Sequence, residues 1–303
     1  MRMLNWQKIF PHPLKYAYHI GFLETTDLSL SIRERYNRIH WVDDSAYRDE
    51  GWFADPFILK VNDRVIELLA EEMLYDKGRG VLVYLKIERN GYRIVERTIV
   101  LELDTHLSFP IYVKENNKLY VYPENSQSGQ VIIYEYDEDL KRLINPRTII
   151  RVPLLDTQIA EIEGTYYAFG VEYRTGLQSD TKVLMVYKSE ELLGNFVFFQ
   201  KKVNSYCMER GAGLIYPEND YYVRPVQNCE GGYGREVVLN KLYLQDGLFV
   251  EEEYDRIVPD RYKKNGGLLH TFNKMQGLVV IDGMSYDHPL LAKIYKRIRG
   301  VKD

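Results

Sequence analysis

Apolar runs in this chain come in pairs. From Trp52 the sequence reads an aspartate, Asp55, then the apolar run Pro56 to Leu59, the turn pair Asn62-Asp63, and a second apolar run from Val65 to Ala70 that ends on Glu71-Glu72. Apolar runs of this length bounded by turn residues are strands, and two of them around a short turn make a hairpin. The plan recurs at Phe109 to Glu124, Asp156 to Glu172, Gly211 to Gln227 and Leu268 to Asp282. Its later turn pairs, Asn116-Asn117, Glu163-Gly164, Asn219-Asp220 and Gln276-Gly277, are residue types that tolerate the positive φ of a tight hairpin.

Further strand candidates follow the first four hairpins, at Val81 to Ile87, Val131 to Tyr136, Val183 to Tyr187 and Val237 to Tyr243, with outer ones at Thr98 to Leu101, Thr148 to Val152 and Phe196 to Phe199. Hairpin repeats at this spacing, filled out to four strands each, predict an all-β fold, a five-bladed β-propeller. An open β-sandwich would not hold one aspartate-to-turn offset in the first and third copies. Residues 1–303 read as a single domain, with a lead-in and ring closure over 1–51, blades over 52–285 and a tail over 286–303. Tyr16 to Phe22 alternates like a strand suited to pair with the last blade, and Asp27 to Tyr36 reads as a short helix or a loop. In the tail, Leu290, Leu291, Ile294, Tyr295 and Ile298 fall at helical spacing, which suits a terminal element packed on the body or a membrane-surface helix.

A composition of 45% hydrophobic and 28% charged residues suits a folded domain with a substantial core. The net charge of -4 supplies no basic surface for nucleic acid, so a saccharide or other small polar ligand is the expected partner. Tyrosine is abundant, 26 residues against 11 Phe and 3 Trp, which favours strands and also suits sugar contacts. Cys207 and Cys229 show no metal-ligand spacing, and reduced thiols are expected. Met1 to Ile20 lacks the apolar core of a signal peptide and no run is long enough to span a bilayer, so no membrane span and a cytoplasmic location are expected. Gly231-Gly232-Tyr233-Gly234 lacks the Lys-Ser/Thr ending of a phosphate loop.

With the first strand of each blade on the axis, Asp55, Phe109-Pro110, Asp156, Glu209-Arg210 and His270 gather at one mouth, and Glu71-Glu72, Glu124, Glu172, Gln227 and Asp282 return to it. Carboxyls sharing a pocket spread their pKa values apart, and glycoside hydrolysis uses such pairs as acid and base. Acids at strand ends also cap turns and pair with Lys and Arg, and the pattern leaves both readings open.

Asp55-Pro56-Phe57-Ile58, Asp156 ahead of Glu163-Gly164-Thr165-Tyr166-Tyr167, and Val186 to Phe196 resemble the five-bladed propeller of the family 43 glycoside hydrolases, over Trp52 to Asp282. A closer resemblance is to a divergent branch of that superfamily, in which the propeller is fused to formyltransferase-like or glycosyltransferase modules, as at the N-terminus of plant glucosamine inositolphosphorylceramide transferase. It rests on Ala54-Asp55-Pro56-Phe57, Leu107 to Pro110, Tyr122 to Asn125, Arg210 to Gly213, Arg224 to Gln227, Tyr233-Gly234, His270 to Asn273 and Ile281 to Gly283.

The hydrolase resemblance implies Asp55 as general base, Asp156 as the aspartate that tunes and orients, and Glu209 as general acid. Glu209 stands before Arg210-Gly211 and not in the usual Glu-Gly-Pro-like context, which makes Arg210 a rival for the inward position and Glu124 or Glu72 rivals for the acid. Substrate contacts are expected from Glu72, Pro110, Glu124, Arg210, Arg224, Gln227, Tyr233, His270 and Asp282. Arg210 and Arg224 are either partners of the acids or a clamp for a substrate carboxylate or phosphate. His270 is a candidate for a substrate hydroxyl or a structural metal, although neither a metal nor another cofactor is expected. The expected activity is inverting hydrolysis of a saccharide. The alternatives are a non-hydrolytic sugar-binding or accessory propeller working beside glycan-biosynthesis enzymes, and a protein-interaction scaffold.

Overall fold

A computed structural model describes residues 15–174, 181–202, 209–230, 233–260 and 263–299. The chain begins with strands β1 (Tyr16–Glu24) and β2 (His40–Trp41), separated by the short helix α1 (Ile32–Arg38). The first blade follows as β3 (Gly51–Val61), β4 (Val65–Leu74), β5 (Arg79–Glu88) and β6 (Arg93–Leu101). The second is β7 (Tyr112–Glu115), β8 (Lys118–Val121), β9 (Val131–Asp137) and β10 (Arg142–Ile150), and the third is β11 (Leu154–Ile162), β12 (Thr165–Arg174), β13 (Thr181–Ser189) and β14 (Val197–Lys202). The fourth is β15 (Tyr216–Glu218), β16 (Tyr221–Asn228), β17 (Glu236–Gln245) and β18 (Leu248–Ile257). The last sheet runs β19 (Phe272–Met275), β20 (Leu278–Tyr286), β1, β2, so both ends of the chain build the fifth blade. The pairing runs from Tyr16 opposite Tyr286 to Glu24 opposite Leu278 and closes the ring.

The fold is therefore a five-bladed β-propeller of four-stranded antiparallel sheets. Sheets packed face to face around an axis bury both faces of their inner strands, which is why β4 and β5 read as nearly continuous apolar runs while the outer β18 is mostly exposed and charged. The apolar cores lie between blades. Phe57 meets Phe109 edge to face at 5.0 Å between blades one and two, and Phe169 meets Phe249 at 5.0 Å between blades three and four. Polar ties cross the same seams: the Tyr112 hydroxyl donates to the Ile58 carbonyl at 2.6 Å, and the Tyr122 hydroxyl accepts from the Ile159 amide at 2.8 Å.

Four hairpins turn through positive φ at the expected residues, Asn116-Asn117, Glu163-Gly164, Asn219 and Gln276-Gly277. The first differs: Asn62 stays out of the left-handed region, and its Oδ1 accepts from the amides of Arg64 and Val65, both at 2.9 Å. The tail is a helix, α2 (Pro289–Arg299), but three of the apolar positions expected to pack on the body are not buried. Ala292 is buried, whereas Leu290, Leu291 and Ile294 are exposed. Among the described residues, no helix is long and apolar enough to cross a membrane. Cys229 carries a free thiol, and Cys207 lies outside the described residues.

Candidate ligand site at the propeller axis

A cavity of about 440 Å³ opens at one end of the axis. Its polar wall comes from Asp55, Glu71, His106, Ser108, Glu124 and Arg210, and its aromatic wall from Tyr16, Tyr18, Trp52, Tyr233 and Tyr286.

The heads of the first three inner strands share a strained backbone. Asp55, Phe109 and Asp156 have φ of 50°, 47° and 43°, and β-bulges fall beside the two aspartates, between Ala54 and Phe57 and between Leu155 and Gln158. Each such conformation costs on the order of 1–3 kcal/mol in a residue other than glycine, so the surroundings must impose it. At Asp55 they do: Oδ2 accepts from the Phe109 amide at 3.0 Å and Oδ1 from the Thr271 hydroxyl at 2.7 Å. The Asp55 amide in turn donates to Asp282 at 3.3 Å.

Asp282, fully buried, is the hub behind this corner. It also accepts from the His270 and Thr271 amides at 3.0 and 3.1 Å and from His270 Nδ1 at 2.6 Å. Burial by itself pushes the Asp282 carboxyl up, but His270 and these donors outweigh it and hold the group below the ordinary aspartate value. Burial likewise disfavours the His270 imidazolium, but Asp282, then Asp55 and Asp156, prevail and raise it to about 9. The ring stacks on Tyr18 at 4.5 Å, with Tyr233 edge-on at 5.5 Å.

Asp55, His270 and Asp282 bring ligand atoms within 4.8 Å of one another, near enough for one metal ion. All four of the aspartate oxygens already accept from protein donors, and Nδ1 is the imidazole nitrogen turned to Asp282. The set fits a closed ion-pair network better than an open metal cage.

The acids facing the cavity resist ionisation. Burial first, then the nearby Asp55 carboxylate, puts Glu71 well above the ordinary glutamate range, and burial with Asp156 raises Glu124. For Asp55 burial is the largest influence, and it is raised despite His270. His106 accepts the Gly80 amide on Nδ1 at 2.9 Å, which assigns its hydrogen to Nε2, 3.5 Å from Glu71 Oε1.

The fourth blade departs from the expected arrangement. Arg210 lines the cavity, with Nε 2.6 Å from Asp156 Oδ2 and its guanidinium 5.0 Å from the Tyr233 ring centre. Glu209, the expected acid, is buried and is not among the lining residues; its carbonyl accepts from Arg224 Nη2 at 2.9 Å. The chain passes so close to its neighbours here that only glycine fits: a Cβ on Gly211 would lie 2.5 Å from the Asp156 carbonyl oxygen, and one on Gly213 would lie 1.9 Å from that of Phe272.

Of the expected substrate contacts, Glu124, Arg210, Tyr233 and His270 line the cavity, as does Asp55. Asp156, Gln227 and Asp282 stand behind that layer, with Gln227 Nε2 donating to Asp156 at 3.0 Å. Glu72 is corrected to Glu71, because successive residues of β4 face opposite ways and Glu72 pairs with Arg97 at 2.7 Å. Arg224 is buried 3.2 Å from Glu251 and does not line the cavity. Pro110 is buried and does not line the cavity, whereas Ser108 does. His106, Ser108, Tyr16, Tyr18, Trp52 and Tyr286 also line the cavity without a sequence motif that marks them; only the alternation of Tyr16 to Phe22 hints at a wall from the lead-in.

The fold is similar to that of five-bladed propellers found among glycoside hydrolases. A family 43 β-xylosidase/α-arabinofuranosidase from a compost microbial metagenome superposes with a TM-score of 0.53 at 12% identity, covering 78% of this chain and 91% of that one. The catalytic domain of a Coprinopsis cinerea GH62 α-L-arabinofuranosidase gives 0.52 at 12% identity over 70% of each chain. Sequence is more specific. Residues 41–267 match the family described as glucosamine inositolphosphorylceramide transferase 1, N-terminal, and the chain belongs to that family. Glucosamine inositolphosphorylceramide transferase 1 of Oryza sativa subsp. indica is 24% identical over 245 residues, 78% of this chain and 31% of that protein. The Arabidopsis thaliana protein of the same name is 25% identical over 213 residues, 68% of this chain and 27% of its own length. The chain thus spans under a third of the length of these relatives.

Proposed function

We propose that the axial cavity binds a saccharide without hydrolysing it, and that this propeller serves as a substrate-holding or accessory domain in glycan or glycolipid assembly. The observation that carries this reading is the exchange at the fourth blade: Arg210 faces the cavity where the hydrolase resemblance puts an acid, and Glu209 does not. The relatives named as glucosamine inositolphosphorylceramide transferases support a biosynthetic setting.

Charge narrows the ligand. Arg210 is already matched by Asp156, and Arg224 is buried beside Glu251, so the expected clamp for a substrate carboxylate or phosphate lacks one arginine and has the other engaged. Asp55, Glu71 and Glu124 face the cavity, which suits a neutral or amine-bearing sugar better than an anionic one.

Calorimetric titration with glucosamine and its β-1,4 dimer, run beside a reducing-end release assay on the dimer, tests the reading. Saturable binding with no product is expected. Turnover abolished by Asp55→Asn would overturn it in favour of hydrolysis. That second reading has its own support: Glu71 and Glu124, whose carboxyls burial raises from the ordinary glutamate value, are candidate acids on the cavity wall.

A further inference from the structure

The proposed function leaves the aromatic wall unexplained. An aromatic ladder climbs from the buried His270 to solvent. Tyr18 stacks on His270 at 4.5 Å, Trp52 lies 5.2 Å from Tyr18 with the rings tilted by 47°, and Tyr16 lies 6.2 Å from Trp52. Exposure rises along it: Tyr18 is 4% exposed and Tyr16 46%. The ladder spans the seam between blades five and one, since Tyr16 and Tyr18 belong to β1 and Trp52 to β3. Tyr286, directly opposite Tyr16 in the β1–β20 ladder, widens the same wall.

We propose that Trp52 and Tyr16 form a stacking platform for a second sugar ring at the cavity mouth, so that the ligand carries at least two linked rings. The inference rests on the saccharide reading and specifies its reach. Asp55, Glu71 and His270 offer polar groups deep in the cavity, enough to fix one ring by its hydroxyls or amine. The mouth above them offers flat, half-exposed ring faces, the surface on which the C–H face of a pyranose loses water most favourably. His106 and Ser108, which line the same cavity, offer polar partners for that ring's edge, a pairing that suits an amphipathic sugar better than an alkyl tail.

Titration of glucosamine, its β-1,4 dimer and octyl glucosaminide into the unaltered chain and into Trp52→Ala, Trp52→Phe and Tyr16→Ala tests the platform. The dimer is expected to bind on the order of five- to tenfold more tightly than the monomer, the gain typical of one aromatic contact. Trp52→Ala is expected to erase that gain and leave the monomer unchanged, Trp52→Phe to keep part of it, and the tolerant Tyr16→Ala to weaken the dimer alone. Dimer-dependent change in tryptophan emission, absent from Trp52→Ala, is the second readout. Equal binding of monomer and dimer overturns the platform while leaving the saccharide reading intact, as does equal weakening of both by Trp52→Ala. A gain confined to octyl glucosaminide makes the mouth a tail-binding surface and overturns it as well. Binding of none of the three overturns both.

Discussion

Asp55 and the pair Glu209-Arg210 occupy matching places, the heads of the inner strands of blades one and four, yet they are held in opposite ways. Asp55 is bent into the left-handed region and grasped from the front by Phe109 and Thr271. The blade four head is held from behind, with Arg224 on the Glu209 carbonyl and two glycines threading the chain past Asp156 and Phe272. Side chains of an extended segment alternate, so a shift of one residue exchanges which of two neighbours faces the axis. That shift is the whole difference between an acid and a guanidinium at the cavity wall. Glu71 and Glu72 repeat the lesson on β4.

The largest test of this contrast is Asp282→Ala. It strips the acceptor from the Asp55, His270 and Thr271 amides and leaves a buried imidazolium without its nearest carboxylate. A loss of about 3–5 kcal/mol is expected in urea unfolding. A loss below about 1 kcal/mol would mean that blade five does not hold Asp55 in place.

Arg224→Met should come next, at about 2–3 kcal/mol, less than a full broken pair because Lys202 remains 3.0 Å from Glu251. An unchanged unfolding midpoint would show that the blade four head is fixed without it.

The pH profile follows. His270 is raised from 6.5 to about 9 in the fold, so its stabilising contribution is complete below pH 6.5 and disappears as pH rises through about 9. The raised Glu71 and Glu124 carboxyls act with the same sign from a lower pH, since ionising them costs more in the fold than in the open chain. Melting temperature should therefore decline by several degrees from pH 6.5 to beyond 9, and His270→Gln should flatten the upper part of that decline. A profile that rises with pH would remove the imidazolium from the ring.

The smallest effect separates neighbours. Glu72→Gln weakens the pair with Arg97 and should cost about 1 kcal/mol without touching saccharide affinity, whereas Glu71→Gln should alter affinity with little loss of stability. Equal effects on binding would erase the distinction between the two faces of β4.

Much of the fold was legible in the chain, because burial on both faces writes itself as apolar runs and tight turns write themselves as Asn, Asp and Gly. The hairpins, their order and four of the five turn types could be read that way, and Tyr16 to Phe22 alternated as an added strand must. Asp55, Glu124, Arg210, Tyr233 and His270 were legible as members of one mouth, since topology alone brings strand heads to a shared axis.

What the sequence could not decide was facing. Glu71 against Glu72 and Arg210 against Glu209 each turn on one residue of register, which local pattern does not encode. The burial of Arg224 against Glu251 and the wall made by Tyr16, Trp52 and Tyr286 depend on contacts between distant segments. Tertiary structure settled these, because a side chain's direction at a strand end is set by the bulges, glycines and cross-blade hydrogen bonds around it, while the sequence determined that a ring of five blades would bring those strand ends together.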